Sequence, residues 1–220
     1  MKKMKKLSIA IVIVLGFSQL ITAQEIKFGA KAGLNLANMS GDVEDNSMKV
    51  AFHLGGMAEI KISETFAVQP ELLYSAQGAK FSDGTLALNY LALPVMAKYA
   101  VSENFSLEVG PQFGYLLSAK AKDESNEDDG GGGNIEGSAK SSTSSKAQLA
   151  QAAQADSRDI KENFKSFDLG LALGASYLLN NGLNVGVRYI RGLSDTPKND
   201  DGDFKYKNSV FQLSIGYYFN

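Results

Sequence analysis

The stretch Phe211-Gln-Leu-Ser-Ile-Gly-Tyr-Tyr-Phe219 alternates large apolar residues with mostly polar or small ones. Successive side chains of a β-strand point to opposite faces, so this period of two predicts a strand with one apolar and one polar face. We therefore predict an all-β protein with about eight antiparallel strands. The same pattern recurs in seven further stretches, which are 27–38, 49–62, 66–79, 86–100, 105–118, 167–177 and 183–190.

The connections between these stretches alternate in length. Three of them are tight turns, at 63–65, 102–104 and 180–182, and the last contains the Asn-Gly pair typical of hairpins. Short turns at one end and long loops at the other are typical of transmembrane barrels, in which they are periplasmic and extracellular. The longer polar loops are predicted at 39–48, 80–85, 120–163 and 193–207.

Alternation alone does not say which face points outward, because a soluble ligand-carrying barrel also alternates, with its apolar face inside. Eight strands enclose only enough space for side chains to fill, and the apolar face is too bulky for that space. Its aromatic residues recur near strand ends, as in interfacial girdles. We therefore predict an eight-stranded antiparallel transmembrane up-and-down β-barrel, with its apolar face in lipid and a filled polar interior. Small residues suit that interior, and the polar face carries Gly33, Gly55, Gly110, Gly114, Gly170, Gly174, Gly186 and Gly216.

The predicted lumen face carries as many bases as acids. Buried ions destabilise a protein unless they are paired and hydrogen-bonded, so equal numbers predict a salt-bridged network that plugs the interior. A narrow ion path is the alternative. The eight residues of this predicted network are Lys31, Glu59, Lys61, Glu71, Lys98, Glu108, Asp168 and Arg188.

Composition excludes several classes of protein. The 220 residues include 22 Lys+Arg and 24 Asp+Glu, and a net charge of −2 disfavours nucleic-acid binding. The absence of cysteine from the sequence excludes disulfides, thiolate metal sites, a lipoprotein anchor and a thiol nucleophile. A mean hydropathy of −0.13 excludes a membrane protein made of many helices.

The N-terminal residues resemble a secretory signal peptide. Four lysines in residues 1–6 precede an apolar run at 7–17, which is shorter than the roughly 20 residues that span a bilayer. We predict that residues 1–23 are removed by cleavage between Ala23 and Gln24. The exported barrel domain is then 24–220, and the loss of four lysines changes its net charge to −6.

Four stretches, each with an aromatic residue, resemble those of a known family. Together they are similar to the small outer-membrane β-barrel proteins of Gram-negative bacteria called porin-family or PorT-type proteins, over the exported chain except 120–163. The resemblance implies a barrel embedded in outer-membrane lipid and, for PorT-type members, an accessory role in a protein secretion system. The stretches are Phe28-Gly-Ala-Lys-Ala-Gly-Leu-Asn-Leu36, Gln69-Pro-Glu-Leu-Leu-Tyr74 with Gln77-Gly78, Tyr90-Leu-Ala-Leu-Pro-Val-Met-Ala-Lys-Tyr99 and Val109-Gly-Pro-Gln-Phe-Gly-Tyr115.

The C-terminal residues carry a second resemblance. Ile215-Gly-Tyr-Tyr-Phe219 is similar to the aromatic signal read by the barrel-assembly machinery, although Asn220 follows the last aromatic residue. This likeness implies that Tyr217 and Phe219 are the assembly signal and that the barrel-assembly machinery is a partner during biogenesis.

The segment 120–163 departs from the family pattern. It contains the acidic run 123–129, four glycines at 130–133, and the alanine-rich stretch 147–155, which could form about two helical turns. We interpret it as a long flexible extracellular loop, or as a recognition loop for a surface partner. The acids at 123–129, and Asp195, Asp200, Asp201 and Asp203, lack the spacing of an EF-hand, so we predict no specific metal site.

Catalysis has little support in the sequence. His53 is the single histidine, and no Gly-x-Ser-x-Gly element accompanies it. We expect no cofactor and no enzymatic activity, and we predict an outer-membrane protein with a structural or surface-interaction role or limited passage of small solutes. The alternatives are a secretion accessory with a protein partner, a barrel enzyme and a soluble ligand carrier.

Overall fold

The computed structural model describes residues 25–41, 46–82, 84–123, 157–197 and 206–219. No helix among these residues is long and apolar enough to cross a membrane. Two short strands, Asn46–Ser47 and Ser157–Asp159, and the 3-10 helix Lys161–Asn163 accompany the long strands. The eight long strands are β1 (Ile26–Gly41), β2 (Lys49–Lys61), β3 (Phe66–Phe81), β4 (Gly84–Ala100), β5 (Phe105–Asp123), β6 (Phe167–Leu178), β7 (Leu183–Gly192) and β8 (Tyr206–Phe219).

The eight long strands close into a ring. Each strand pairs antiparallel with the next one in the chain. The first strand also pairs with the last, from Phe28 opposite Phe219 to Gly41 opposite Tyr206. The ladder hydrogen bonds between long strands therefore run around the whole ring, as membrane-spanning β-structure requires. This confirms the predicted eight-stranded up-and-down barrel.

The two faces of the strands differ as the alternation predicts. On β8, Ile215 is 60% exposed on the outer face, whereas its inward neighbours Ser214 and Gly216 are buried. Large apolar side chains are exposed on the outer face of every long strand. Soluble monomers rarely expose so large a contiguous apolar surface to water, whereas a membrane-spanning barrel exposes one to lipid. The apolar face is outside, as predicted.

Two of the tight turns share the sequence pattern Ser-Glu-x-Phe and one local geometry. Ser63-Glu-Thr-Phe66 and Ser102-Glu-Asn-Phe105 each place the serine hydroxyl as acceptor for the backbone N–H of the phenylalanine, at 3.1 and 3.2 Å. The third turn contains Gly182, whose φ of 82° favours glycine. All three turns lie at the end of the barrel where β1 begins and β8 ends, which is the periplasmic end.

The predicted loop at 80–85 is wrong. Phe81 pairs directly with Gly84, so β3 and β4 are joined by a two-residue connection. Two of the other predicted loops, at 39–48 and 120–163, start too early. β1 continues to Gly41, and β5 continues to Asp123, with the strand Ser157–Asp159 paired to residues 120–122. The predicted signal peptide at 1–23 and the alanine-rich stretch 147–155 lie outside the described residues.

The prediction of a polar interior is wrong for the extracellular half of the barrel. An apolar cluster fills that part of the lumen and includes Phe164, which follows the 3-10 helix. One cause is a β-bulge: the register between β4 and β5 shifts at Asn89 and Tyr90, which brings both Leu116 and Ala119 to the inner face. The buried members of this cluster are Met39, Ala79, Leu86, Leu88, Tyr90, Leu116, Ala119 and Phe164.

Candidate functional site in the barrel lumen

Arg188 crosses the lumen and joins opposite walls of the barrel. It projects from β7, and its guanidinium donates two parallel hydrogen bonds to Glu71 on β3, Nη1 to Oε2 at 2.9 Å and Nη2 to Oε1 at 2.8 Å. Nη2 also donates to Oε2 of Glu108 on β5 at 2.8 Å. Bidentate pairs between arginine and carboxylate are among the strongest and most directional in proteins. The middle of the interior is therefore spanned by one side chain and two carboxylates.

Two lysines complete the balance of charge. Lys31 Nζ donates to Glu71 Oε1 at 2.9 Å. Lys98 Nζ donates to Glu59 Oε2 at 2.5 Å and lies 4.0 Å from Glu108 Oε1. Three bases thus meet three acids, so the cluster is neutral as a whole. We call it the lumen network: Lys31, Glu59, Glu71, Lys98, Glu108 and Arg188.

Two uncharged side chains that the sequence reasoning missed connect the lumen network. The Tyr218 hydroxyl lies 2.7 Å from Gln69 Oε1 and 3.0 Å from Glu59 Oε2, and it accepts a hydrogen bond from Lys98 Nζ at 3.2 Å. Gln69 Nε2 donates to Glu71 Oε1 at 2.6 Å. The period of two places both residues on the inner face of the barrel. The sequence reasoning considered only charged residues for the network and therefore missed them.

The centre of the lumen network is almost entirely inaccessible to water. The side chains of Arg188, Glu71 and Glu108 are 3%, 0% and 5% exposed. A water-filled channel past this level would expose these side chains to water, so the lumen is closed here. Together with Gln69 and Tyr218, the network draws on every long strand except β6.

Two residues of the predicted network lie at other levels of the barrel. Lys61 is exposed at the periplasmic rim, where its Nζ is 4.0 Å from Glu25 Oε2. Asp168 lies toward the extracellular end and accepts hydrogen bonds from Ser194 Oγ at 2.5 Å and Asn208 Nδ2 at 3.0 Å. The structure therefore brings six of the eight predicted residues together and separates these two.

The two predicted assembly-signal residues lie away from the lumen. Tyr217 and Phe219 face outward at the periplasmic end of β8, with ring centroids 6.0 Å apart in an edge-to-face arrangement. Their role as an assembly signal stays a prediction. Ala23 and Gln24, the predicted cleavage site, lie outside the described residues.

His53 lies in a hydrogen-bonded chain above the lumen network. Its Nδ1 is 2.8 Å from Asn35 Oδ1 and its Nε2 is 3.0 Å from Ser214 Oγ. Asn35 Nδ2 donates to Ser75 Oγ and the Ala76 carbonyl, which fixes its Oδ1 as the acceptor for a proton on Nδ1. The serine hydroxyl then donates to Nε2.

This order of serine, histidine and orienting amide matches that of hydrolase triads. The surroundings of the three residues differ from those of a catalytic site. His53 is 1% exposed, and Asn35 and Ser214 are also buried. Gln212 Nε2 donates to the same Asn35 Oδ1 at 2.9 Å, so the chain continues as a structural network. Among the described residues, no group of three or more His, Cys, Asp or Glu could hold a metal ion.

We expect the His53→Ala substitution to lower the stability of the barrel, because the role of His53 is structural. The substitution leaves the buried Ser214 hydroxyl and Asn35 Oδ1 each short of one partner, which costs about 2 kcal/mol. Urea unfolding of the lipid-embedded protein measures this change, and Ser214→Ala, which retains the histidine, is the milder comparison. Covalent labelling of Ser214 in the folded protein by a fluorophosphonate would contradict the structural interpretation.

Comparisons with known proteins give one family match and several similar solved structures. The family model described as outer membrane protein beta-barrel domain matches residues 17–197. A search of curated proteins found no match. Among solved structures, Ail of Yersinia pestis is 15% identical with a TM-score of 0.47, covering 89% of this chain and 99% of that one. Neisserial surface protein A is 12% identical with a TM-score of 0.48, covering 90% and 99%.

Outer membrane protein W of E. coli is 17% identical with a TM-score of 0.40, covering 88% of this chain and 97% of that one. The family match spans most of the chain and includes all the strands from β1 to β7. It does not separate PorT-type members from others, so that narrower placement stays a prediction. The chain belongs to the outer membrane protein beta-barrel family and is a protein of the bacterial outer membrane.

Proposed function

We propose that this protein is a non-enzymatic, non-conducting outer-membrane barrel that acts through its extracellular surface. The observation that carries the proposal is the Arg188 guanidinium, which bridges Glu71 and Glu108 across the lumen with all three side chains buried. A solute that passed this level would have to break the bridge. Such a step leaves buried charges unpaired, which costs several kcal/mol.

The extracellular end supports a surface role because the barrel wall rises above the apolar band. On β5 the outward apolar residues end at Leu117, and Lys120 is exposed on the outer face beyond it. A lysine facing hydrocarbon is costly, so this part of the wall stands in the headgroup region or in water. β4 and β5 remain paired up to Gly84 and Asp123, and the segment 124–156 follows there. A partner outside the cell could therefore contact a polar wall and this segment together.

The passage of solutes can be tested with liposomes that contain the purified barrel. We expect no swelling in isotonic arabinose or glycine, because the lumen network occupies the full cross-section. Liposomes with a general porin serve as the positive control, and protein-free liposomes set the baseline. Swelling rates that rise with protein content and fall with solute size would overturn the non-conducting part of the proposal.

The surface part can be tested on intact cells with an added protease. We expect cleavage within 124–156 while the strands stay protected, since that segment follows the extracellular end of β5. A variant with a protease site inserted at Ser63-Glu64-Thr65, in a periplasmic turn, is the matched control and should not be cut. Cleavage at the inserted site and none in 124–156 would contradict the orientation.

A further inference from the structure

The extracellular mouth of the barrel contains a cavity that is lined by none of the lumen-network residues. Its volume is about 420 Å³. The wall residues Met39, Phe81, Leu86 and Tyr206 line it together with Ile160 and Phe164, which precede and follow the 3-10 helix. It is thus formed between the barrel wall and the segment that folds back over the mouth.

The inner side of this mouth cavity is apolar. Met39, Leu86 and Phe164 are buried members of the apolar cluster in the extracellular half, and Ile160 and Tyr206 pack against that cluster. The cluster and the lumen network close the barrel below it. A cavity lined in this way offers water few hydrogen bonds and is stabilised by an apolar occupant. Its volume lies in the range of small-molecule pockets, about 300 to 1,000 Å³.

The rim of the mouth cavity is polar on one side. Thr85 on β4 and Lys122 on β5 lie directly opposite each other, and both line the cavity. Among the described residues, Lys122 forms no ion pair, in contrast to Lys31 and Lys98 in the lumen network. An apolar interior beside an ammonium group is complementary to a molecule with an apolar body and a negative head.

We propose that the mouth cavity binds a small amphipathic anion of the medium-chain carboxylate type. Its apolar body packs against Met39, Leu86 and Phe164, and its carboxylate lies at Lys122. Because the barrel is closed below, the ligand is held at the cell surface and does not pass inward. The site therefore goes beyond the proposed surface role, and it stands even if a protein partner binds elsewhere.

Calorimetric titration of sodium octanoate into the protein in lipid nanodiscs tests the proposal, with empty nanodiscs as the reference for partition into lipid. We expect saturable binding at one site, and a tenfold or greater loss of affinity in Lys122→Gln. Lys120→Gln is the matched control: Lys120 lies on the same strand but is exposed outside the cavity, opposite Asp159. Its affinity should equal that of the wild type.

A second variant tests the cavity itself. Ala121→Trp adds a large ring at a residue that lines the mouth cavity, and it should abolish octanoate binding while the protein keeps its heat-modifiable mobility. If this variant does not fold, the comparison of Lys122→Gln with Lys120→Gln still tests whether octanoate binds at the mouth cavity. Heats equal to those of empty nanodiscs, or equal losses in the two lysine variants, would overturn the proposal.

Discussion

Replacement of Arg188 by alanine is expected to lower the free energy of unfolding by about 3 to 5 kcal/mol. The substitution leaves Glu108 without the hydrogen bond from Nη2 and Glu71 without two of its donors, while both carboxylates stay buried. Lys31 still contacts Glu71, but Lys98 is 4.0 Å from Glu108. A buried carboxylate that loses its hydrogen-bonded partner is among the costly defects that a single substitution can create in a protein interior.

Urea-dependent unfolding in lipid, followed by heat-modifiable gel mobility, measures the effect. Arg191→Ala is the matched control, because Arg191 lies on the same strand and is exposed. We expect it to change stability by no more than about 0.5 kcal/mol. The double variant Arg188→Met with Glu108→Gln leaves two acids and two bases in the lumen network, and it should recover part of the loss. Equal effects of Arg188→Ala and Arg191→Ala would contradict a buried network.

Gly55→Ala is expected to destabilise or prevent closure of the barrel, while the adjacent Gly56→Ala is expected to be neutral. A Cβ at Gly55 would overlap the Leu72 carbonyl oxygen and lie 2.8 Å from Leu73 Cα, both in the backbone of the neighbouring strand. At Gly56 the nearest atom to a Cβ is Gly29 O, at 3.8 Å. A closed ring cannot shift one strand without disturbing the others, so we expect a loss of about 3 kcal/mol for Gly55→Ala.

The two glycine variants differ by one position and carry the same added methyl group. Folding into lipid vesicles, scored as the fraction of protein with the mobility of the folded form, compares them directly. Assembly of Gly55→Ala to the wild-type extent would show that β2 and β3 are not packed as closely as the structure has them. A defect in Gly56→Ala as large as that in Gly55→Ala would mean that outward glycines matter as much as inward ones.

The period of two predicted the strands because it reports a physical constraint, namely that each strand divides its residues between lipid and lumen. The same constraint placed Arg188, Glu71 and Glu108 on the inner face. Their mutual contacts were not predictable in this way, since which residue of β7 lies level with which residue of β3 depends on the tilt and stagger of the closed ring.

The prediction failed where the two faces do not differ in polarity. The stretch 90–97 is apolar on both faces, so a difference in polarity could not show that Tyr90 and Met96 fill the lumen. At 80–85 the residues are polar although the strands continue, because this part of the wall lies beyond the apolar band. Polar residues there signal the end of the hydrocarbon layer, and the pairing of Phe81 with Gly84 shows that the strands themselves run on.

Single-channel recording in planar bilayers tests the closed lumen most directly. The purified wild-type protein, inserted alongside a general porin as a positive control, is predicted to give no stable conductance steps. The variant with serine at Glu71, Glu108 and Arg188 removes the side chains that span the interior and should give small steps. Large, stable conductance from the wild-type protein would contradict the account.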